Sequence, residues 1–479
     1  MEAARTPRER LTTFLQSPAV FLVIAVAGAA IAYFPTLRSP FYLDDYIYLR
    51  ASRDLSFTRY AELVFTPWSR DATLPFTRDF WRPLSFLYFE LARPVFGDRV
   101  LPYHVVNVAI HLVSIVMVWL LARKLDPRTT VAAVAVLVFA FYPGSTEAVS
   151  WISSINSAGL PFMLSSWLVF LAATKTAQPD WRLLTGAAGL FAVAMMFRET
   201  SAAVLVGVGF WYLLVQARAR LTEWRTYLVF APYLAVCVAY YLLRTRLFTE
   251  PAANPDLYGF RGQFNDHWWY YIKNALLPFR DPVTGWRTQA QTVSGLVLLA
   301  AIPASLLARR WGLLALSIAI PLAVVPSAAA LLGAGQRYFY FLTPILAIGL
   351  GLAAADALDG FRRNRDAKAL PAFLAPALAG IVAIAGAAIV WDRSKHWSDI
   401  GPERQQAWVD ELRTEYPALP AGGTLYCVNV PLELALFDAA NLAPVVLWYY
   451  PEVRSAAWAP VASNIPPLGP TDRVYIAGD

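Results

Sequence analysis

Apolar residues run along this chain in long unbroken stretches, and eleven of them approach the roughly 20 residues that a helix needs to cross a bilayer. They cover residues 17–36, 103–122, 130–143, 158–174, 183–197, 200–216, 226–246, 291–308, 312–332, 338–357 and 371–391. The shorter ones reach the interface through flanking side chains that snorkel. Lipid offers the backbone no hydrogen-bond partners, so runs of this kind read as helices. The pattern predicts an all-α polytopic membrane domain over 1–391 with about eleven transmembrane helices.

The polar positions between the stretches give an orientation. Arg5, Arg8 and Arg10 precede the first run, and Arg123, Lys124 and Arg128, Lys175 and Arg182, Arg218, Arg220 and Arg225, Arg309 and Arg310, and Arg362 to Lys368 fill alternate connections. Basic connections stay in the cytoplasm, so the N-terminus is expected inside and the tail outside an inner (plasma) membrane. The first run resembles a signal peptide, but the many spans behind it favour a retained anchor. A long first outer loop follows at 37–102, within which 85–95 reads as an amphipathic interfacial helix. The tail, 392–479, reads as a small extracytoplasmic α/β appendage, with a helix at 403–416 and strands at 424–430, 445–450 and 473–477.

Composition agrees with a bilayer: 58% of the residues are hydrophobic and 15% charged, with mean hydropathy +0.46. The net charge of +7 comes from scattered basic residues with no aromatic-interleaved stripe, which argues for topology and lipid phosphate and against nucleic acid. Cys237 sits in an apolar run and Cys427 in the tail, so neither a disulfide nor a metal site is expected from them.

Candidate chemistry gathers at the predicted outer ends. Segment 41–50, Phe-Tyr-Leu-Asp-Asp-Tyr-Ile-Tyr-Leu-Arg, sets Asp44 and Asp45 among aromatics at the membrane surface, where acids are costly unless solvated, paired or used. One of them can act as a general base on an acceptor hydroxyl, and the other can cap the following helix. His104, Asn107 and His111 share one stripe of a helix, suited either to helix-to-helix hydrogen bonds or to contact with substrate. Arg82, Glu147, the Arg198-Glu199 pair and Tyr338 stand at other outer ends as orienting or binding residues. Arg337 is the first choice for a donor phosphate, because guanidinium offers two parallel donors; Arg198, Arg244 and Arg246 are further choices.

Together, the first-loop Asp44-Asp45 pair, Trp81-Arg82-Pro83, Tyr103-His104 with Asn107 and His111, Glu147 to Trp151, Arg198-Glu199 and Arg337-Tyr338 resemble the GT-C glycosyltransferase superfamily. They look most similar to its protein O-mannosyltransferase-like branch. The resemblance covers about 17–391. It implies a polyprenyl-phosphate-sugar donor, an inverting transfer on the outer face, a first-loop Asp as base, and a protein, lipid or glycan as acceptor. Arg198 stands where such enzymes often carry Lys, and the tail replaces the tetratricopeptide repeats of some members, which leaves the acceptor open. A required metal is not expected, although Asp44, Asp45, Glu147 and Glu199 could converge on a divalent ion. A secondary transporter and a non-catalytic membrane scaffold are the alternatives; a transporter would place its charges near the midplane.

The alternation of basic connections is checked by reporter fusions after Arg365 and after Ala459, which should report opposite sides of the membrane. Both on one side would refute the orientation.

Overall fold

The computed structural model describes residues 18–52, 58, 60, 81–176, 178–247, 264–278, 286–325, 328, 336–364, 374–430, 439–459 and 461–477. The arginines at 5–10, Pro326, the glycines at 333 and 335 and the basic stretch 365–368 lie outside the described residues.

Each apolar stretch contains a helix. The first loop contributes α2 (Asp44–Ala51) and α3 (Pro83–Phe96) after the entry helix α1 (Pro18–Ala32). The bundle continues through α4 (Val100–Leu125), α5 (Thr129–Ala140), α6 (Gly159–Ala173), α7 (Trp181–Phe197), α8 (Ala203–Trp211) and α9 (Ala231–Leu247). It closes with α10 (Phe264–Asn274), α11 (Trp286–Leu307), α12 (Trp311–Ala323), α13 (Thr343–Asn364) and α14 (Leu374–Ile400). Among the described residues, seven helical stretches are long and apolar enough to cross a membrane. An eighth is added if α5 and the 143–150 helix, bent by 45° at their junction, form one span. The protein is a multi-pass membrane protein.

Local chemistry sets several helix ends. Asp180 caps α7 by accepting from the backbone N–H groups of Arg182 and Leu183. Pro83 opens α3 at the first helical position, where its missing N–H costs nothing, and Arg123 and Lys124 lie in the last turn of α4, where cations complement the helix dipole.

In lipid, tails are as apolar as leucine, so helices associate by close packing over small residues. Gly351 of α13 meets the backbone of Val131 on α5, where a Cβ would lie 2.5 Å from the carbonyl oxygen. Phe141 wedges between Gly28 of α1 and Gly386 of α14, whose added Cβ atoms would fall 2.7 and 2.6 Å from it. At the predicted inner end, Arg128 binds Asp126, Asp356 and Asp359 at 2.8–2.9 Å and so pins the start of α5 to the end of α13.

α14 runs without interruption past residue 392 to Ile400, and α15 (Pro402–Glu415) follows at once. Beyond it, β1 (Thr424–Val428), α16 (Ala439–Tyr449), β2 (Ser455–Trp458) and β3 (Arg473–Ile476) form a small parallel sheet in the order β2-β1-β3. The strand expected at 445–450 is instead the second half of α16. Its β-branched and aromatic run suits a strand by propensity, but two neighbouring parallel strands need a crossover, and this segment supplies it. β2, which follows it, was not expected. The tail does not hold its core alone: Trp408, Leu425, Cys427, Trp448 and Tyr475 pack in one cluster with Phe41, Tyr46, Leu49, Phe89, Tyr103 and Ile152.

Gly351→Val should force α5 and α13 apart and lower stability by about 1–3 kcal/mol, as overpacking does. Thermal unfolding of the purified protein in detergent measures this, and an unchanged midpoint would contradict the close approach.

Candidate active site

Five segments far apart in sequence converge at the predicted outer end. Arg82 precedes Pro83 with φ −128° and ψ 61°, outside the helical region that a following proline disfavours, and its side chain reaches the junction of α7 and α8. There its guanidinium grips Glu199 through one edge, Nε donating to Oε2 at 3.0 Å and Nη2 to Oε1 at 2.6 Å. α7 breaks at Arg198, whose extended backbone turns this residue and Glu199 to different sides. The Arg198 guanidinium, 2% exposed, lies over the rings of Tyr338 and Phe341 at 4.7 and 5.7 Å. Burial, and then the charge of Arg82, push Arg198 down to about 10, so a bound anion would favour its charged form.

The 45° bend after α5 lays Glu147 across the same end. Arg337 donates to Glu147 at 2.7 Å and to the Tyr338 hydroxyl at 3.1 Å, and its plane covers the Trp151 ring at 4.6 Å. Asp44, half-buried at the start of α2, lies within electrostatic reach of Arg337, Arg82 and Glu147. Desolvation raises its carboxyl above the ordinary range, with Arg337 and Arg82 pulling the other way. Tyr48, one turn further along α2, stacks on Phe89 at 4.8 Å and stands among Arg82, Asp44, Arg198 and Glu199.

Asp45 has a different setting. It is 1% exposed, and its carboxylate accepts from the backbone N–H of Tyr42 at 2.9 Å and of Ser153 at 2.6 Å. Burial pushes this group up to about 8 against those two donors. The first of these bonds is local and secures the turn into α2; the second fastens α2 to the segment after Trp151.

The polar stripe of α4 serves backbone groups. His104 donates from Nε2 to the Ser39 carbonyl at 2.9 Å, and Asn107 donates to the carbonyls of Trp151 and Ile152 at 2.7 and 3.3 Å. His111 is bonded to the Tyr340 hydroxyl at 3.0 Å and to the Ala140 carbonyl at 3.4 Å. These contacts hold the chain around the charged cluster without entering it. Arg244 and Arg246 lie at the end of α9, and the charge of Arg244 acts on Tyr240, whose hydroxyl donates to the Trp81 carbonyl at 3.0 Å. Among the described residues no three His, Cys, Asp or Glu side chains converge as a metal site. Tyr48 was absent from the sequence candidates; its signal was its position one helical turn after Asp44, on the same face.

The fold is shared with solved structures of other proteins. The chain superposes on ArnT from Cupriavidus metallidurans with a TM-score of 0.51 at 14% identity, covering 87% of this chain and 83% of that one. It superposes on the oligosaccharyltransferase of Archaeoglobus fulgidus, solved with a tethered acceptor peptide, with a TM-score of 0.50 at 15% identity, over 85% and 61% of the two chains. Residues 82–242 match the family described as dolichyl-phosphate-mannose-protein mannosyltransferase. Protein O-mannosyl-transferase Tmtc1 of Drosophila melanogaster is 30% identical over 186 residues, 38% of this chain and 21% of that protein. TMTC3 of Mus musculus is 27% identical over 193 residues, 39% of this chain and 20% of its own length. The chain thus spans about a fifth of the length of these curated relatives. The matched segment starts at Arg82 and includes Glu147, Arg198 and Glu199.

Asp45→Asn should destabilise the protein by about 1–3 kcal/mol, since an amide nitrogen cannot accept from the backbone N–H it would face. A thermal midpoint in detergent equal to wild type would show that these two bonds do not hold α2.

Proposed function

We propose that this protein is a membrane glycosyltransferase that moves a sugar from a polyprenyl-phosphate carrier to a hydroxyl group on the extracytoplasmic face, with Asp44 as general base. The observation that carries the reading is the contrast between the two adjacent acids. Asp45 is committed to two backbone donors, whereas Asp44, with no hydrogen bond from the described residues, lies within electrostatic reach of Arg337 and Arg82.

In the proposed reaction Asp44 accepts the proton of the acceptor hydroxyl. The hydroxyl oxygen forms a bond to the anomeric carbon from the side opposite the phosphate. The bond from that carbon to the phosphate oxygen breaks, its electron pair stays on the polyprenyl phosphate, and the anomeric configuration inverts. The leaving group is a stable anion, so no second carboxylic acid is needed to protonate it, in contrast to glycoside hydrolysis. Arg337 and Arg198 bind the carrier phosphate; two fixed guanidiniums in a partly dry site stabilise the charge that grows there, and on this reading the transfer needs no metal. Arg82 and Glu199 hold the acceptor side in register with Tyr48. The carrier's tail stays in the bilayer, which fits a site at the end of the bundle. The descriptions of the similar proteins support mannose on a polyprenyl phosphate as the first donor to test and a protein hydroxyl as the first acceptor.

With polyprenyl-phosphate mannose and a serine- and threonine-rich peptide, Asp44→Asn should cut turnover by about 10²- to 10⁴-fold, the usual worth of a positioned base, while carrier binding persists. Near-normal turnover would remove Asp44 from that role. Because Asp44 must be ionised, and burial raises its carboxyl above the ordinary range, wild-type transfer should be lost on the acid side at a higher pH than an ordinary aspartate would give.

The two guanidiniums make a separate demand. Arg337→Ala should weaken carrier binding far more than Arg337→Lys does, as measured by titration with polyprenyl phosphate. Equal binding by both variants and wild type would make Arg337 a partner of Glu147 only.

A further inference from the structure

The backbone just before Asp44 is strained. Leu43 has φ +43° and ψ −108°, a region in which the Cβ of a bulky side chain crowds its own backbone. Such a conformation persists only where the surroundings over-determine it, and it is a pointer to function when it adjoins a reacting group. Part of what holds Leu43 comes from the C-terminal region. Gln405 of α15, 1% exposed, accepts from the Leu43 N–H at 3.1 Å and donates from Nε2 to the Phe41 carbonyl at 3.3 Å. A single side-chain amide therefore holds the backbone on both sides of Tyr42. The carbonyl of Tyr42 itself accepts from Trp151 Nε1 at 3.1 Å. One turn before Gln405, Gly401 abuts the Tyr42 ring, where a Cβ would fall 2.7 Å from ring and hydroxyl atoms. On the far side of α2, the Tyr46 hydroxyl meets that of Tyr449 in α16 at 3.0 Å.

We propose that Gln405, contributed by the C-terminal region, is a positioning residue for sugar transfer: its amide clamps the Phe41 to Leu43 turn in its strained form and so aims Asp44 at the acceptor hydroxyl. The proposal rests on Asp44 being the base. A carboxamide suits the task because it offers a donor and an acceptor side by side without charge, whereas an ionised carboxylate would face the Phe41 carbonyl with a second acceptor. The clamp acts through geometry. Its loss lets Leu43 relax to negative φ and swings the first residue of α2 away from Arg337 and Arg82, while the carrier phosphate site, built from other segments, is left in place.

The test uses the full-length protein in lipid with polyprenyl-phosphate mannose and the serine- and threonine-rich peptide. Gln405→Met keeps the length and removes both hydrogen bonds. Turnover should fall about 10- to 100-fold with carrier KM changed less than about 3-fold, the signature of a misplaced reacting group. Leu43→Gly distinguishes positioning from a general loss of structure, because glycine takes positive φ without strain and no longer needs the clamp. The double variant Leu43→Gly/Gln405→Met should therefore turn over within about 3-fold of Leu43→Gly alone. The proposal is overturned if Gln405→Met keeps wild-type turnover while Asp44→Asn is inactive, or if the same fall recurs in the Leu43→Gly background. Should Gln405→Met not fold, the comparison within the Leu43→Gly background decides, and a double variant that also fails to fold assigns Gln405 to stability alone and overturns the proposal. Near-normal turnover by Asp44→Asn would instead remove the base reading beneath it, an outcome read from a different variant.

Discussion

Charge at the edge of a bilayer is expensive unless it is paired, and two arginine–carboxylate bridges meet that requirement here. Arg82 to Glu199 joins the first loop to the α7–α8 junction, and Arg337 to Glu147 joins the turn before α13 to the bent segment after α5. Each spans more than 100 residues of sequence, and each brings a guanidinium to the same end of the bundle. A charge in such a place is costly to leave alone, so removing one partner of either bridge would cost several kcal/mol. The site is thus held by the same contacts that make its charges tolerable. Aromatic faces complete it: Trp151 and Tyr338 cover Arg337, and Tyr338 and Phe341 cover Arg198.

Behind the charged end, the spans need close backbone contact because lipid gives them no hydrophobic reason to associate. The glycines at 28, 351 and 386 supply that contact, and Phe141 fills the space that two of them leave. The polar stripe of α4 then fixes the segments that carry the site. His104 ties down the start of the first loop and Asn107 the turn after Trp151, so a span in the bundle sets the position of groups at its end. The C-terminal region closes the arrangement from outside, sharing one core with α2 and α3 and reaching through Gln405 to the turn that precedes Asp44.

Much of this was legible from the sequence, because a bilayer imposes a simple rule. Apolar length alone marks the spans, and every apolar stretch holds a helix. Of the charged residues at predicted outer ends, Arg82 meets Glu199 and Arg337 meets Glu147, whereas Arg244 and Arg246 lie apart at the end of α9. The tail was harder to read. Val445 to Tyr450 has the composition of a strand, and only the parallel pairing of β1 with its neighbours made this segment a crossover helix. Gln405 left a faint trace, a polar residue on the apolar stripe that continues through Trp408, Val409 and Leu412, but its partner lies 362 residues away.

The sequence by itself determined the membrane class and the helical bundle, and it nominated the residues proposed to carry the chemistry, because hydropathy and charge act locally along a chain. The tertiary structure alone decided which partners those residues have. Asp44 and Asp45 are identical in kind and adjacent in sequence, yet successive residues on a helix face different ways. One carboxylate accepts from the backbone of residues 42 and 153, and the other lies within electrostatic reach of two arginines. Which side chain meets which partner depends on the packing of distant segments, and no local pattern encodes that.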